Sequence, residues 1–109
     1  MTALHTKGPW CVLPSEEGVD YLRIRGTQLG LRYKIADVCS PRFDVPAEMA
    51  AAELAESLAN ARLMSMAPEL LAELESTIER EWNPFEPENQ SARYYRMIAL
   101  RDKVFGVTP

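Results

Sequence analysis

The sequence predicts an α+β fold, in which a three-stranded antiparallel sheet is followed by a helical hairpin and a C-terminal helix. Two patterns indicate this fold: short apolar segments bounded by glycine and proline fill residues 1–40, and apolar residues at helical spacing fill residues 46–109. The third observation is Pro68, which stands where the helical leucine pattern stops and restarts. Proline has no N–H to donate and suits the first turn of a helix, so two helices are expected to meet there.

The β-meander, residues 1–40, contains three predicted strands. Residues 10–13 are a β-prone run next to prolines, which places them at an edge of the sheet. Residues 21–25 alternate between apolar and polar side chains, as a strand with one buried face does. Residues 26–30 are bounded by glycines and have the length of a hairpin loop. The third strand is expected over residues 31–39.

The alternation predicts a sheet with one apolar face and one basic face. Leu22 and Ile24 belong to the apolar face. The basic face carries an aromatic ring and four cations, contributed by Tyr21, Arg23, Arg25, Arg32 and Lys34. The pattern slips at residues 36–38, which indicates a bulge or a segment that is buried on both sides.

The helical part, residues 46–109, begins with a helix predicted over residues 46–66. Asp44 is placed to cap this helix, and Pro46 fits its first turn. Its alanines recur at four-residue spacing, which is typical of tight packing against the sheet or against a second copy of the chain. The ridge consists of Ala47, Ala51, Ala55 and Ala59.

Two further helices are predicted after Pro68. The second helix spans residues 68–81 and ends because two prolines fall within residues 82–87. The third is capped by Asn89 or Ser91 and stopped by Gly106.

The length of 109 residues predicts a single domain, residues 1–109, with one core. The predicted core consists of Trp10, Leu22, Ile24, Leu31, Ile35, Leu54, Leu58, Leu63, Leu71, Leu74, Ile78 and Ile98.

The composition is that of a soluble globular protein, with 47% apolar and 26% charged residues. No apolar run approaches the ~18 residues that cross a bilayer, and the first seven residues are too short and polar for a signal peptide. We therefore expect a cytoplasmic protein without a membrane partner. Cys11 and Cys39 are far apart and the chain has one histidine, which predicts two semi-buried thiols rather than a zinc site.

The net charge of −4 is unevenly distributed along the chain. Residues 1–45 carry a net charge of +1, residues 46–88 carry −8 and residues 89–109 carry +3. Together with the alanine ridge, the opposite charges of the middle and the tail make a homodimer one expected assembly.

The sequence does not predict an enzyme, a cofactor or a metal site. His5 is the single histidine, and in the first residues, which show no structural pattern, no nucleophile or orienting carboxylate is expected to be held in place beside it. Phosphate-binding loops, nucleophile elbows and dinucleotide fingerprints are absent from the sequence. Acidic pairs occur at helical spacing but lack the Glu-x-x-His motif of metal-binding bundles. These pairs are Glu53 with Glu56, and Glu69 with Glu73.

Three segments carry a family resemblance: residues 5–10 (HTKGPW), residues 35–38 (IADV) and residues 60–71 (NARLMSMAPELL). They resemble small proteins of tailed bacteriophages and prophages, which share a His-Thr-x-Gly-Pro-Trp box and an Asn-Ala-Arg-Leu helix running into Ala-Pro-Glu-Leu-Leu. The resemblance covers residues 5–10 and 35–74. Lys7 stands where such proteins have proline, and residues 64–66 replace small aliphatics. The resemblance implies a phage or prophage origin, and hence a protein located in the cytoplasm of a bacterial host. It implies no catalytic residue.

Two functions follow as hypotheses. The first is a phage accessory protein that binds a host protein through its acidic helices, at Glu53, Glu56, Glu69 and Glu73. Inhibition of a host defence complex such as CRISPR is a specific form of it, because an acidic surface can imitate the charge of nucleic acid. The second is a nucleic-acid-binding module that uses the basic sheet face. The acidic pI, near 5.0, weakens this second hypothesis.

Overall fold

The computed structural model describes residues 5–16, 18–39 and 46–107 and has the predicted α+β arrangement. In chain order the elements are β1 (Trp10–Val12), β2 (Tyr21–Gly26), β3 (Lys34–Cys39), α1 (Ala47–Ser65), α2 (Ala67–Glu81) and α3 (Ala92–Val104). The described residues of 5–68 form one compact unit, and residues 69–107 belong to another.

The sheet is antiparallel, with β2 between the two edge strands β1 and β3. Val12 lies opposite Ile24, and Leu22 lies opposite Val38. Leu22 and Ile24 are each 1% exposed, so the predicted apolar face is confirmed. Complete burial of a side chain of this size stabilises the fold by about 1.5–3 kcal/mol.

The third strand begins three residues later than predicted, at Lys34. Leu31 was expected in the strand and in the core, and both predictions are wrong. Leu31 has a φ of 67° and is 36% exposed, because the chain is still turning at this point. A bulge interrupts the pairing just before the predicted position: Arg25 pairs with Lys34 and Ile24 with Ala36, so Ile35 is the extra residue of β3.

Helix α1 packs on the apolar face of the sheet through small residues. Ala61 is 0% exposed and belongs to one cluster with Leu22 and Ile24. Ser57 and Ser65 are also buried, and the Ser65 hydroxyl donates to the Arg62 carbonyl oxygen at 2.7 Å, which satisfies its donor inside the helix. These short side chains let the helix backbone approach the sheet closely.

The side of α1 that faces the sheet agrees only in part with the prediction: Leu58 packs against the core, as predicted. The alanine ridge, Ala47, Ala51, Ala55 and Ala59, is exposed and does not pack on the sheet. Leu63 was expected in the core, but it is 66% exposed. Apolar residues surround this helix on several sides, so their spacing alone does not identify the buried side. Asp44, the predicted cap, lies outside the described residues.

The second unit contains α2 and α3. The side chains of Leu71, Ile78 and Met97 are buried in it. The predicted Ser91 cap is confirmed, since its hydroxyl accepts a hydrogen bond from the Tyr94 N–H at 3.0 Å. Gly106 follows α3 with a φ of 73°, the left-handed conformation that ends many helices.

The segment between α2 and α3 is organised around a buried glutamine. The Gln90 amide oxygen accepts from the Asn83 N–H at 2.8 Å. Its Nε2 donates to the carbonyl oxygens of Asn83 and Glu86, each at 2.9 Å. All the strong hydrogen-bonding atoms of this side chain are therefore used, which accounts for its burial.

Candidate functional site

The basic face of the sheet holds four of the five residues predicted for it. Alternation along β2 puts Tyr21, Arg23 and Arg25 on the face opposite Leu22 and Ile24, and pairing with Arg25 adds Lys34. The prediction is wrong for Arg32, which lies in the turn before β3 rather than on the strand.

Carboxylates offset part of the charge of this face. The Arg23 guanidinium donates to the Glu16 carboxylate in an ion pair. Asp37 lies directly opposite Arg23 on β3. Arg25 Nη1 points to the Leu31 carbonyl oxygen at 3.4 Å. The face is therefore a mixed surface rather than a continuous track of cations, which is a weak arrangement for holding a phosphate backbone.

The acidic residues of α1 line one shallow groove. Glu53, Glu56, Ser57 and Asn60 border a cleft of about 280 Å³ that is open to solvent. Glu53 Oε2 is buried and has no hydrogen-bond partner among the described residues. A buried carboxylate oxygen without a donor favours an incoming group that supplies one.

The groove belongs to a longer stripe on α1. Helical spacing places Met49 and Leu63 on the same side as the groove residues, at the two ends of the row. Both are large apolar side chains exposed to solvent, at 53% and 66%. We call this surface the carboxylate stripe; it consists of Met49, Glu53, Glu56, Asn60 and Leu63.

The other two predicted acidic residues do not belong to this stripe, since Glu69 and Glu73 lie on α2 in the second unit. Glu69 is in the first turn of α2, where the unpaired N–H groups favour a negative charge. Its Oε2 is buried without a hydrogen-bond partner among the described residues. Glu73 is exposed, and its backbone carbonyl accepts from the Thr77 hydroxyl at 2.7 Å.

The His-Thr-x-Gly-Pro-Trp box forms a local hydrogen-bonded structure. Trp10 Nε1 donates to the Thr6 carbonyl oxygen at 3.0 Å, and His5 Nδ1 lies 2.9 Å from the same oxygen. The His5 and Trp10 rings meet edge to face, with centroids 6.2 Å apart. The Thr6 carbonyl oxygen is thus the point where the two ends of the box meet.

The same box lies close to β2 at Gly26. A Cβ at this position would lie 3.1 Å from Thr6 Cγ2 and 3.3 Å from Tyr33 Cβ. Glycine therefore allows the N-terminal segment and the turn to approach the strand together.

Three further findings bear on the classes of site. Among the described residues, no group of three His, Cys, Asp or Glu side chains is arranged to hold a metal ion. In that same part of the chain, no helix combines the length and apolar character that crossing a membrane requires. Cys11 and Cys39 are free thiols; Cys11 is half-buried, as predicted, but Cys39 is exposed on β3, so the prediction of a semi-buried thiol is wrong there.

Comparison with known protein families shows the family of the chain. A family model described as Salmonella phage P22 protein Y8K6 matches residues 1–102. The chain belongs to this family. No curated protein and no solved structure matches the chain.

Membership of the Salmonella phage P22 protein Y8K6 family confirms the prediction that this is a phage protein. The match extends well beyond residues 5–10 and 35–74, where the sequence resemblance was noted, and reaches into α3. The two motifs of that resemblance stay predictions, because the family match does not test them individually.

Sequence reasoning missed one surface of this Y8K6 family member. The turn between β2 and β3 exposes Leu29, Leu31 and Tyr33 to solvent. Apolar alternation in residues 31–35 indicated a strand, so the turn at residues 31–33 was not predicted. The available signal was Gly30 between two leucines, since glycine is common where the backbone turns left-handed.

Proposed function

We propose that this phage protein acts by binding a host protein through the carboxylate stripe of α1. The observation that carries the proposal is the combination of large exposed apolar side chains, Met49 and Leu63, with the groove lined by Glu53 and Glu56. Apolar anchors beside charged groups are typical of protein interfaces. A partner with a basic rim around apolar side chains complements this stripe.

The charge of the helices supports a target that normally binds nucleic acid. Helices α1 and α2 together carry eight glutamates and two arginines. An acidic helix face on either unit can compete with phosphates for a basic groove on another protein. Inhibition of a host defence complex such as CRISPR is the specific form that we propose, because such complexes hold nucleic acid in positively charged channels.

The basic sheet face supports the alternative, a nucleic-acid-binding module, less well. Its arginines are partly offset by Glu16 and Asp37, as described above. The exposed cations that remain, Arg32 and Lys34, lie at the end of the sheet. A short cationic end gives weak and strongly salt-dependent contact with phosphates.

Capture from a bacterial lysate, with and without nuclease, tests the proposal. We expect the tagged protein to retain a stoichiometric host protein after nuclease treatment. The double variant Glu53→Lys with Glu56→Lys should lose that protein, and the matched variant Arg25→Glu with Lys34→Glu should retain it. If nuclease removes all captured material, or if only the sheet variant loses binding, the nucleic-acid alternative replaces the proposal.

The CRISPR form has its own test. In a host whose CRISPR system cleaves an incoming plasmid, expression of the protein should raise the number of transformants. The Glu53→Lys with Glu56→Lys variant should not raise it. An unchanged number of transformants with the wild-type protein would exclude this form and leave binding of another host protein to be identified from the captured material.

A further inference from the structure

The turn between β2 and β3 presents apolar side chains on an unusual backbone. Leu29 is 67% exposed, and Leu31 and Tyr33 are exposed as well. Leu29, Gly30 and Leu31 have φ angles of 52°, 66° and 67°. Leucine rarely adopts this left-handed region, because its Cβ crowds the backbone carbonyl. Two leucines held there and turned to solvent suggest a functional constraint rather than a packing one.

Hydrogen bonds hold the turn in one shape. The Gly26 N–H donates to the Tyr33 carbonyl oxygen at 2.9 Å across its base. Arg25 Nη1 donates a long hydrogen bond to the Leu31 carbonyl oxygen, at 3.4 Å. A turn that is already ordered loses little conformational entropy when it binds. We call residues 29–34 the hairpin tip; its exposed cations are Arg32 and Lys34.

We infer that the hairpin tip of one copy binds the carboxylate stripe of α1 in a second copy. The tip combines leucines with Arg32 and Lys34, and the stripe combines Met49 and Leu63 with two glutamates. The two surfaces are thus complementary in charge and alike in apolar character. Both are exposed in the same copy, so neither is occupied by the other within one chain.

The chemistry of the tip favours protein over phosphate or membrane. Two leucines bury too little apolar area to anchor a protein on a bilayer. The net charge of −4 opposes approach to anionic lipid, to nucleic acid and to a second copy alike, so the second copy is distinguished by the local complementarity of its carboxylate stripe to the tip. The acidic helices α1 and α2 are present on each further copy of the chain.

The contact joins two different surfaces of the chain, and this determines which assemblies it can form. It closes into a dimer when each tip reaches the partner's stripe, and otherwise it continues into longer chains. A single tip covers a small area, so the association is weak and needs high protein concentration. Because the stripe is also the surface proposed for the host protein, a second copy and the host protein compete for it.

Sedimentation of the purified protein tests this inference with no host protein present. Between about 10 µM and about 1 mM, the range of weak contacts, the weight-average mass should rise by about one half or more, and added salt should reduce the rise. Two charge-reversed variants should each remain monomeric: Arg32→Glu with Lys34→Glu on the tip, and Glu53→Lys with Glu56→Lys on the stripe.

Mixing the two variants is the decisive measurement. In the mixture the reversed tip meets the reversed stripe, and the native tip of one variant meets the native stripe of the other. The mass of the mixture should therefore rise although each variant alone stays monomeric. As a control, Glu75→Lys with Glu79→Lys changes the charge equally on α2 and should associate as the wild type does.

Two results would overturn the inference: a wild-type protein that stays monomeric at the highest concentration, or folded variants whose mixture does not associate. Circular dichroism of each variant establishes that it is folded. Since the host protein is absent, failure here leaves the proposed function standing. Likewise, a failure to capture a host protein in the lysate experiment would not contradict the inferred self-association.

Discussion

The Arg93 guanidinium donates three hydrogen bonds to the Glu81 carboxylate at the end of α2: Nη2 to Oε1 at 2.9 Å, Nη2 to Oε2 at 2.8 Å, and Nε to Oε1 at 3.3 Å. Ser91, which caps α3, donates to the same carboxylate at 3.1 Å. One acidic side chain thus ties the last turn of α2 to the first turn of α3. The hydrogen bonds from Arg93, and then from Ser91, lower the pKa of Glu81.

This ion pair predicts a pH dependence. Because the pKa of Glu81 is lower in the folded state, its contribution to stability is present above the ordinary glutamate pKa, about 4.3, and is lost as the pH falls through the lowered value. In Arg93→Gln, the pKa of Glu81 should return toward the ordinary value. Titration of the side-chain carboxyl carbon by NMR measures it. Arg96→Gln on the same helix is the control and should leave this pKa unchanged.

The buried glutamine predicts a charge-sensitive substitution. In Gln90→Glu, the carboxylate would face the carbonyl oxygens of Asn83 and Glu86, which now accept from the amide. Loss of these donors should lower the free energy of unfolding by about 1–3 kcal/mol at neutral pH. The loss should shrink in acid, where the carboxyl group is protonated. Urea titration at two pH values measures both, and the exposed Gln28→Glu should show neither effect.

The two sides of α1 predict opposite tolerance to the same substitution. In Ala61→Leu, three extra carbon atoms enter the space beside Leu22 and Ile24, and the free energy of unfolding should fall by about 1–3 kcal/mol. Ala59→Leu makes the same change on the exposed side and should alter stability by less than about 0.5 kcal/mol. Thermal unfolding of the pair measures the difference. Equal losses would show that the ridge of alanines is covered.

The close approach at Gly26 predicts a partial rescue. Gly26→Ala should destabilise the protein by about 1–3 kcal/mol, because the new methyl group presses on Thr6 Cγ2 and Tyr33 Cβ. Adding Thr6→Ser removes the first of these carbons and should restore part of the loss. Chemical denaturation of the single and double variants gives the coupling energy. A coupling of zero would mean that the two residues do not meet.

The strands, apart from the start of β3, and the helix boundaries could be predicted because local chemistry sets them. The alternation around Leu22 and Ile24 and the two-proline break after Glu81 each specify one structure. Burial on α1 could not be predicted, since Leu63 faces solvent while Ser57 is buried. Which side of an apolar helix packs inward depends on distant residues, and here small side chains decided it.

The candidate site was predictable in its residue types but not in its grouping. Glu53 and Glu56 share a groove, as their spacing on one helix indicated. Glu69 and Glu73 belong to another unit, which no local pattern reveals. The hairpin tip was missed because leucines in a left-handed turn resemble the alternation of a strand.

The bulge at Ile35 also limits how the sheet can grow. β3 is an edge strand, and an edge offers unpaired backbone groups to any neighbouring strand. The extra residue breaks the regular spacing of those groups, and the charged Lys34 and Asp37 on either side make apolar stacking of sheets costly. At the other edge, β1 has only three residues. Both edges of this sheet therefore disfavour pairing with a strand from another chain.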